Sequence, residues 1–256
     1  MDLLSSKPAQ TNLLNRLRRV TQQPDLSVVM PVFNEEARVT EAIERVLQQD
    51  FVAELIVVDD GSTDKTWDVV SRIEDPRLHV HRQPVNRGKG SALREGFSRA
   101  SAPFVAVHDA DLEYDPRDLE QLMTPLRDGR ADVVYGSRFM GGREHRVLYY
   151  WHSVGNRILT TLSNMATDVN LTDMETCSKV FTREVIQNLD LQEDRFGFEP
   201  EVTAKVAARG LRIYEVGVSY SGRTYAEGKK INWKDGVRAV YVIAKHSPVL
   251  RPSKRR

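Results

Sequence analysis

Leu26-Ser27-Val28-Val29-Met30-Pro31-Val32-Phe33-Asn34-Glu35-Glu36 sets the pattern that decides the fold of this chain. The run from Leu26 to Phe33 is rich in β-branched residues and predicts a strand. Asn34 predicts a helix cap, with Glu35 and Glu36 favourably placed in the first turn. Val39, Ile43, Val46 and Leu47 give that helix its apolar face. The same unit then recurs. Strands are expected at Glu54–Asp59, Arg77–Arg82, Phe104–Asp109 and Asp132–Gly136. Helices are expected after Gly61-Ser62-Thr63-Asp64, over Ser91–Ala100 and after Pro116. Strand–helix alternation predicts an α/β fold, a mostly parallel Rossmann-like sheet with helices on both faces.

Beyond about Gly141 the alternation loosens. His152–Thr167 reads as a helix, Asp173–Phe181 as a strand, Glu199–Arg209 as a helix stopped by Gly210, and Leu211–Tyr220 as a strand. Ser221–Ile231 is polar and reads as a loop, and Trp233–His246 as a last amphipathic helix. The domain boundaries that follow are a basic extension over 1–24, one catalytic-sized domain over 25–246 and a basic tail over 247–256.

Open parallel sheets bind ligands beyond the carboxyl ends of their strands. Two acidic clusters fall there: Asp59-Asp60 after the second strand, and Asp109-Ala110-Asp111-Leu112-Glu113 after the fourth. If the latter stays extended, its three carboxylates face one way and repel one another. A divalent cation such as Mg²⁺ or Mn²⁺, shared with a substrate phosphate, would relieve that repulsion. A solvated turn or helix cap is the bland alternative for so short a motif. No Gly-x-Gly-x-x-Gly follows the first strand. A P-loop, nucleophile elbow, His-Glu-x-x-His and paired-cysteine zinc pattern are also missing from the sequence.

The 256 residues suit one domain with an appendage, and 29% charged against 40% apolar residues is ordinary for a globular protein. A formal net charge of +1 gives no global field for nucleic acid. The single cysteine, Cys177, excludes an intramolecular disulfide and fits a reducing compartment. No apolar run approaches membrane-spanning length. The ends are basic: Leu13–Val20 is a short basic amphipathic pattern, and Lys245–Arg256 carries Lys245, Arg251, Lys254, Arg255 and Arg256 without an acid. Such segments rest on anionic membrane surfaces or remain solvated. The expected location is cytoplasmic, peripheral to the cytoplasmic face of a membrane. Trp67, Trp151 and Trp233 are expected in the core or as membrane-proximal anchors, and His108 as a packing residue.

Four segments, Leu26–Glu36, Ile56-Val57-Val58-Asp59-Asp60-Gly61-Ser62-Thr63-Asp64, Asn86-Arg87-Gly88-Lys89-Gly90-Ser91-Ala92 and Asp109–Pro116, resemble in order and spacing the inverting family 2 glycosyltransferases of GT-A fold. The resemblance covers roughly residues 25–246. Tyr135–Phe139, Gly155-Asn156-Arg157, Asp173–Lys179 and Gly228–Ile231 look most like the dolichyl- or polyprenyl-phosphate hexosyltransferase branch.

The resemblance implies a nucleotide-sugar donor, UDP-glucose or GDP-mannose, and a lipid-phosphate acceptor. Pro31, Phe33, Glu35, Asp59 and Asp60 would hold the nucleoside. Asp109, Asp111 and Glu113 would hold Mg²⁺ or Mn²⁺ against the diphosphate, Glu113 standing where the family often has Gln. Arg138 and Arg157, with Thr161 one turn on, would bind the acceptor phosphate. Arg223, Lys229 and Lys230 would close over the donor diphosphate, or form a solvated basic loop. Lys179 either faces the acceptor or pairs with Glu175, and Glu199 either lines the acceptor side or opens a helix. Asp111, Arg138 and Arg157 are the expected catalytic residues. A phosphate acceptor, with a second pKa of about 6, is already mostly ionised at neutral pH and needs no strong general base. A soluble hydroxyl acceptor would need one. A nucleotide-binding scaffold at a membrane, without turnover, is the reading from another class.

Overall fold

The computed structural model of the protein describes residues 23–142, 144, 146, 147, 149–224 and 233–250. Lys229 and Lys230, the basic pattern at 13–20 and the tail at 251–256 lie outside the described residues.

Four strands and their helices form the first half: β1 (Leu26–Val32), α1 (Val39–Leu47), β2 (Val52–Asp59), α2 (Thr66–Val70), β3 (Leu78–Arg82), α3 (Lys89–Arg99) and β4 (Phe104–Val107). A short 3-10 turn, Pro116–Asp118, leads into α4 (Leu119–Arg127) and β5 (Val133–Ser137). Then come α5 (Tyr150–Thr167), β6 (Lys179–Thr182), α6 (Arg183–Asn188), α7 (Phe198–Ala208), β7 (Ile213–Gly217) and α8 (Trp233–His246). The sheet has seven strands in the order β3-β2-β1-β4-β6-β5-β7. β6 runs antiparallel to both neighbours, and the other pairings are parallel. The expected α/β architecture is therefore present, with one reversed strand at its middle.

The core lies in two layers, as a sheet covered on both faces requires. Val28, Met30, Leu55 and Val57 pack with Ile43, Val46 and Leu122 on one side. Val29, Ile56, Val58 and Val105 pack with Leu93, Phe97, Phe181 and Phe198 on the other. The second layer is tight where α3 crosses β1. A Cβ on Gly96 would stand 2.2 Å from Val29 Cγ1, so the helix reaches the sheet only because residue 96 has no side chain.

Three local expectations change. Asn34 does not cap a helix: it sits at φ 52°, and α1 begins only at Val39. Its Oδ1 instead accepts from Thr63 N at 2.9 Å, while Glu36 Oε2 accepts from Lys65 N at 2.9 Å. The loops after β1 and β2 thus clasp each other across the sheet edge. β4 ends at Val107, so residues 109–113 turn instead of continuing as a strand. Of the expected 173–181 strand only residues 179–181 pair in the sheet, in a strand that spans Lys179–Thr182. No helix among the described residues is long and apolar enough to cross a membrane.

Candidate active site

The carboxyl ends of β1, β2 and β4 gather the acidic residues. His108 still bonds through its backbone N to Val29 O, and its buried imidazole is held neutral, its pKa lowered to about 4 by burial. It packs, as expected of it. The chain then turns through Leu112, whose φ of 62° is rare for a branched side chain. That turn replaces strand alternation as the device that orients Asp111 and Glu113.

Asp109 is gripped from below. Lys89, at the start of α3, donates to Asp109 Oδ2 at 2.9 Å and stands 3.0 Å from Glu199 Oε1, at the start of α7. Burial opposes ionisation of Asp109, but the adjacent Lys89 charge and hydrogen bond outweigh it and keep the carboxyl below its ordinary range. Asp109 Oδ1 and Glu199 Oε2 are buried without a hydrogen-bond partner. Lys89 is the residue sequence reasoning passed over. Its signal was a lysine between two glycines at a helix start facing the acidic motif.

Asp111 is in the opposite state. Burial, then the charges of Asp109 and Glu113, push its pKa up to about 7. Arg223 answers part of that repulsion, with Nη2 2.9 Å from Asp111 Oδ2 and Nε 3.0 Å from Glu113 Oε1. Its Nη1 faces Glu35 Oε1 at 3.7 Å. Glu113 is fully engaged by protein: Arg223 N donates to Oε1 at 2.9 Å and Tyr220 OH to Oε2 at 2.7 Å.

Among the described residues, no three His, Cys, Asp or Glu side chains converge in a metal-binding group. The expected triad of Asp109, Asp111 and Glu113 is not assembled, because Glu113 turns to Tyr220 and Arg223. The pair Asp109 and Asp111 does suit Mg²⁺ or Mn²⁺. One carries an orphaned buried oxygen, and the other resists ionisation through burial and the neighbouring carboxylates. Such ions commonly use one or two carboxylates, with water and substrate phosphate completing the shell.

The nucleoside positions divide. Pro31 lies at the β1 end opposite Val58, Phe33 follows it, and Glu35 is buried beside Arg223. Asp59 accepts from Ser62 N and stands 3.2 Å from Arg82 Nε. Asp60 accepts from Arg87 N at 2.8 Å and Gly88 N at 2.7 Å. Burial nonetheless lifts its pKa. Both of these aspartates shape loops in this structure, and both are buried.

The phosphate-side arginines also divide. Arg138 is held in a fork: Nε reaches Asp173 Oδ2 and Nη2 reaches Asp173 Oδ1, each at 2.7 Å. Asn156 Oδ1 accepts from the same Nη2 at 3.1 Å. The Arg138 guanidinium lies 5.2 Å from the centroid of the Tyr220 ring, whose hydroxyl touches Glu113. One tyrosine ring therefore separates the cationic and acidic halves of the site. Arg157 and Thr161 are exposed on α5, with Thr161 Oγ1 donating to Arg157 O. Lys179 departs from its expected place at an acceptor. It is fully buried, donates to the carbonyls of Met174 and Thr176, and lies 4.6 Å from the Tyr135 ring centroid. Burial lowers its pKa to about 8 and raises that of nearby Glu175 to about 8.

The fold and this two-sided site define the class, and the comparisons agree. Residues 27–190 match Glycosyl transferase family 2, and the chain belongs to that family. It is 31% identical over 229 residues to the low-salt glycan biosynthesis hexosyltransferase Agl6 of Haloferax volcanii, covering 88% of this chain and 54% of that one. It is 28% identical to the dolichyl-phosphate beta-glucosyltransferase ALG5A of Trichomonas vaginalis, covering 77% of this chain and 65% of that one. The chain thus spans between half and two thirds of the length of these relatives. Its fold is similar to that of Mycobacterium tuberculosis glucosyl-3-phosphoglycerate synthase, solved with Mn²⁺, UDP and glucosyl-3-phosphoglycerate. The TM-score is 0.70 at 22% identity, covering 91% of this chain and 84% of that one.

Proposed function

We propose that this protein transfers a hexose, with inversion, from a nucleoside-diphosphate sugar to a polyprenyl phosphate, using Mg²⁺ or Mn²⁺ held by Asp109 and Asp111. The observation that carries the reading is the Tyr220 ring between Arg138 and Glu113, with Arg223 linking Glu113 in turn to Asp111 of the carboxylate pair. UDP-glucose is the favoured donor, supported by the beta-glucosyltransferase among the relatives and the UDP-bound structural neighbour.

Lys89 keeps Asp109 ionised and aimed, while Glu199 holds Lys89 from the other side. The bound cation would supply Lewis-acid stabilisation of charge on the departing diphosphate. Arg223 now occupies the space between Asp111, Glu113 and Glu35 as a built-in counter-charge. On donor binding, its guanidinium turns to the diphosphate and frees the Asp111 carboxylate. Lys229 and Lys230 follow a few residues later and are proposed to close on the same group. Arg138, pre-oriented by Asp173 and Asn156, holds the acceptor phosphate, and Arg157 with Thr161 adds a second grip. Two anions are thereby brought together, which a permanently charged, weakly hydrated guanidinium suits better than an ammonium. The acceptor oxygen attacks the anomeric carbon in one displacement, so an α-linked donor gives a β-linked product.

A panel of UDP-, GDP- and dTDP-sugars with Mn²⁺ tests the donor assignment by thermal shift and by release of nucleoside diphosphate. A cognate donor raises Tm with its concentration and is turned over once lipid phosphate is added. Binding without release of diphosphate would leave the scaffold reading standing and sink this one.

A further inference from the structure

Helix α5 is apolar on the side that faces away from the protein. Thr160, Ser163, Ala166 and Thr167 are buried against the body. Trp151, Ile158, Leu162 and Met165 point outward, with Trp151 77% exposed, Ile158 55% and Met165 71%. Spacings of seven, four and three residues align these side chains as one stripe along the helix. The stripe does not stop at the helix end. Ser247 Oγ and Val249 N both bond to Ala166 O, which seats the exposed Val249 and Leu250 at its far end. Tyr149 and Tyr150 are exposed at the near end. Soluble proteins rarely leave so long an apolar surface without a use for it.

Charge selects what covers it. From Val147 to Thr167 the sole charged side chain is Arg157, beside the stripe and four residues from Thr161. No acid occurs on α5. After Leu250 the sequence continues Arg251-Pro252-Ser253-Lys254-Arg255-Arg256, again without an acid. An apolar stripe with tryptophan and tyrosine at one end, Arg157 as the one charge along it and a single exposed acid, Asp168, at the helix end matches the boundary between anionic headgroups and acyl chains. A second copy of the chain is a poorer fit. An isologous pairing, stripe to stripe, would bring the Arg157 side chains of the two copies toward each other.

We propose that the outer face of α5, continued by Val249 and Leu250, docks this protein on an anionic lipid bilayer. Its purpose rests on the lipid-phosphate reading above. With the stripe in the bilayer, Arg157 and Thr161 lie at headgroup depth, where a polyprenyl phosphate presents its anion.

The test is flotation of the full chain, without donor or acceptor, with vesicles of phosphatidylcholine alone or of phosphatidylcholine with about one third phosphatidylglycerol. The expected result is binding to the anionic vesicles at least roughly tenfold tighter than to the neutral ones, weakening as salt rises. The triple substitution Trp151→Ser, Ile158→Ser, Met165→Ser lowers that binding at least roughly tenfold. These side chains are outside the catalytic groups, so the variant keeps its thermal midpoint and its transfer to a short-chain, water-soluble prenyl phosphate. Equal binding by wild type and variant, or no binding to either vesicle, overturns the proposal. So does a dimer in light scattering that the triple variant abolishes while vesicles are ignored, since the face then belongs to a second copy. Vesicle binding with no lipid product leaves the docking intact and refutes the lipid-phosphate reading. Transfer to the soluble acceptor without vesicle binding does the reverse.

Discussion

At the scale of single residues, the site is a contest between protein cations and carboxylates. Lys89 is wedged between Asp109 and Glu199, all largely buried. Lys89→Met leaves two buried acids unpaired, which costs about 3–5 kcal/mol in such settings. Urea unfolding at neutral pH measures this; a loss below about 1 kcal/mol would mean that Lys89 is not the clamp described. Arg223 is the opposite case, because it satisfies carboxylates that a metal would otherwise use. Arg223→Gln should therefore tighten Mn²⁺ binding, in the absence of donor, by roughly tenfold, about 1.4 kcal/mol. Manganese titration followed by electron paramagnetic resonance reads this directly, and weaker binding in the variant would refute the competition. The acidic motif was legible in the sequence, but its partners were not. Lys89, Tyr220 and Asn156 come from three separate elements, and no local spacing announces that they converge. Glu113 could be read as a ligand only while residues 109–113 were taken as extended. The left-handed turn at Leu112 removes that premise.

Among the elements, the tightest joint is α3 on β1. Gly96→Ala adds a methyl 2.2 Å from Val29 Cγ1, where the fully buried, β-branched Val29 side chain has little room to yield. Overpacking of this kind costs about 1–3 kcal/mol, read as a lower urea midpoint with an unchanged m-value. A stabilised variant would show that the helix slides away freely. On the neighbouring strand, Glu54 of β2 ties β1 to the loop between α3 and β4. Its Oε1 accepts from Ser27 Oγ of β1 at 2.5 Å and from Ser101 N at 2.7 Å. Ala102 N adds a further bond at 3.3 Å. Burial would raise its pKa, but the bonds from Ser27, Ser101 and Ala102 outweigh it and hold the carboxyl below its ordinary range. A depressed carboxyl contributes stability above its unfolded pKa of about 4.3 and loses it as pH falls through the folded value. The stability gap between wild type and Glu54→Gln should thus be level from about pH 7 to 5 and shrink below about pH 4. A gap that widens on acidification would reverse the sign and the assignment.

Element identity was largely written in the periodicity, since the parallel half follows from alternating apolar runs and turns. The reversed strand β6 was not, because residue pattern carries no strand direction and Asp173–Ser178 lead into the strand without pairing in the sheet. Their backbone and side chains are taken instead by Arg138, Glu215 and Thr160. Six-residue α6 was missed outright, being too short to show a period.

For the whole molecule, the sheet supplies a rigid edge and the family supplies the chemistry that edge serves. The proposed donor site lies at the ends of β1, β2 and β4, the proposed anion site lies on the β5 side, and α5 leads from there to the protein surface. The structural neighbour joins a glucosyl group to phosphoglycerate, so acceptor choice is where relatives of this fold part ways. The account stands on a lipid phosphate. The most direct measurement is transfer of radiolabelled glucose from UDP-glucose to polyprenyl phosphate in detergent, counted in the organic phase with Mn²⁺ or with chelator. Parallel reactions use Asp111→Asn and phosphoglycerate as the alternative acceptor. The account predicts Mn²⁺-dependent label in the organic phase, loss of that label in Asp111→Asn at an unchanged thermal midpoint, and none on phosphoglycerate. Label that appears on phosphoglycerate while the organic phase stays empty would contradict it.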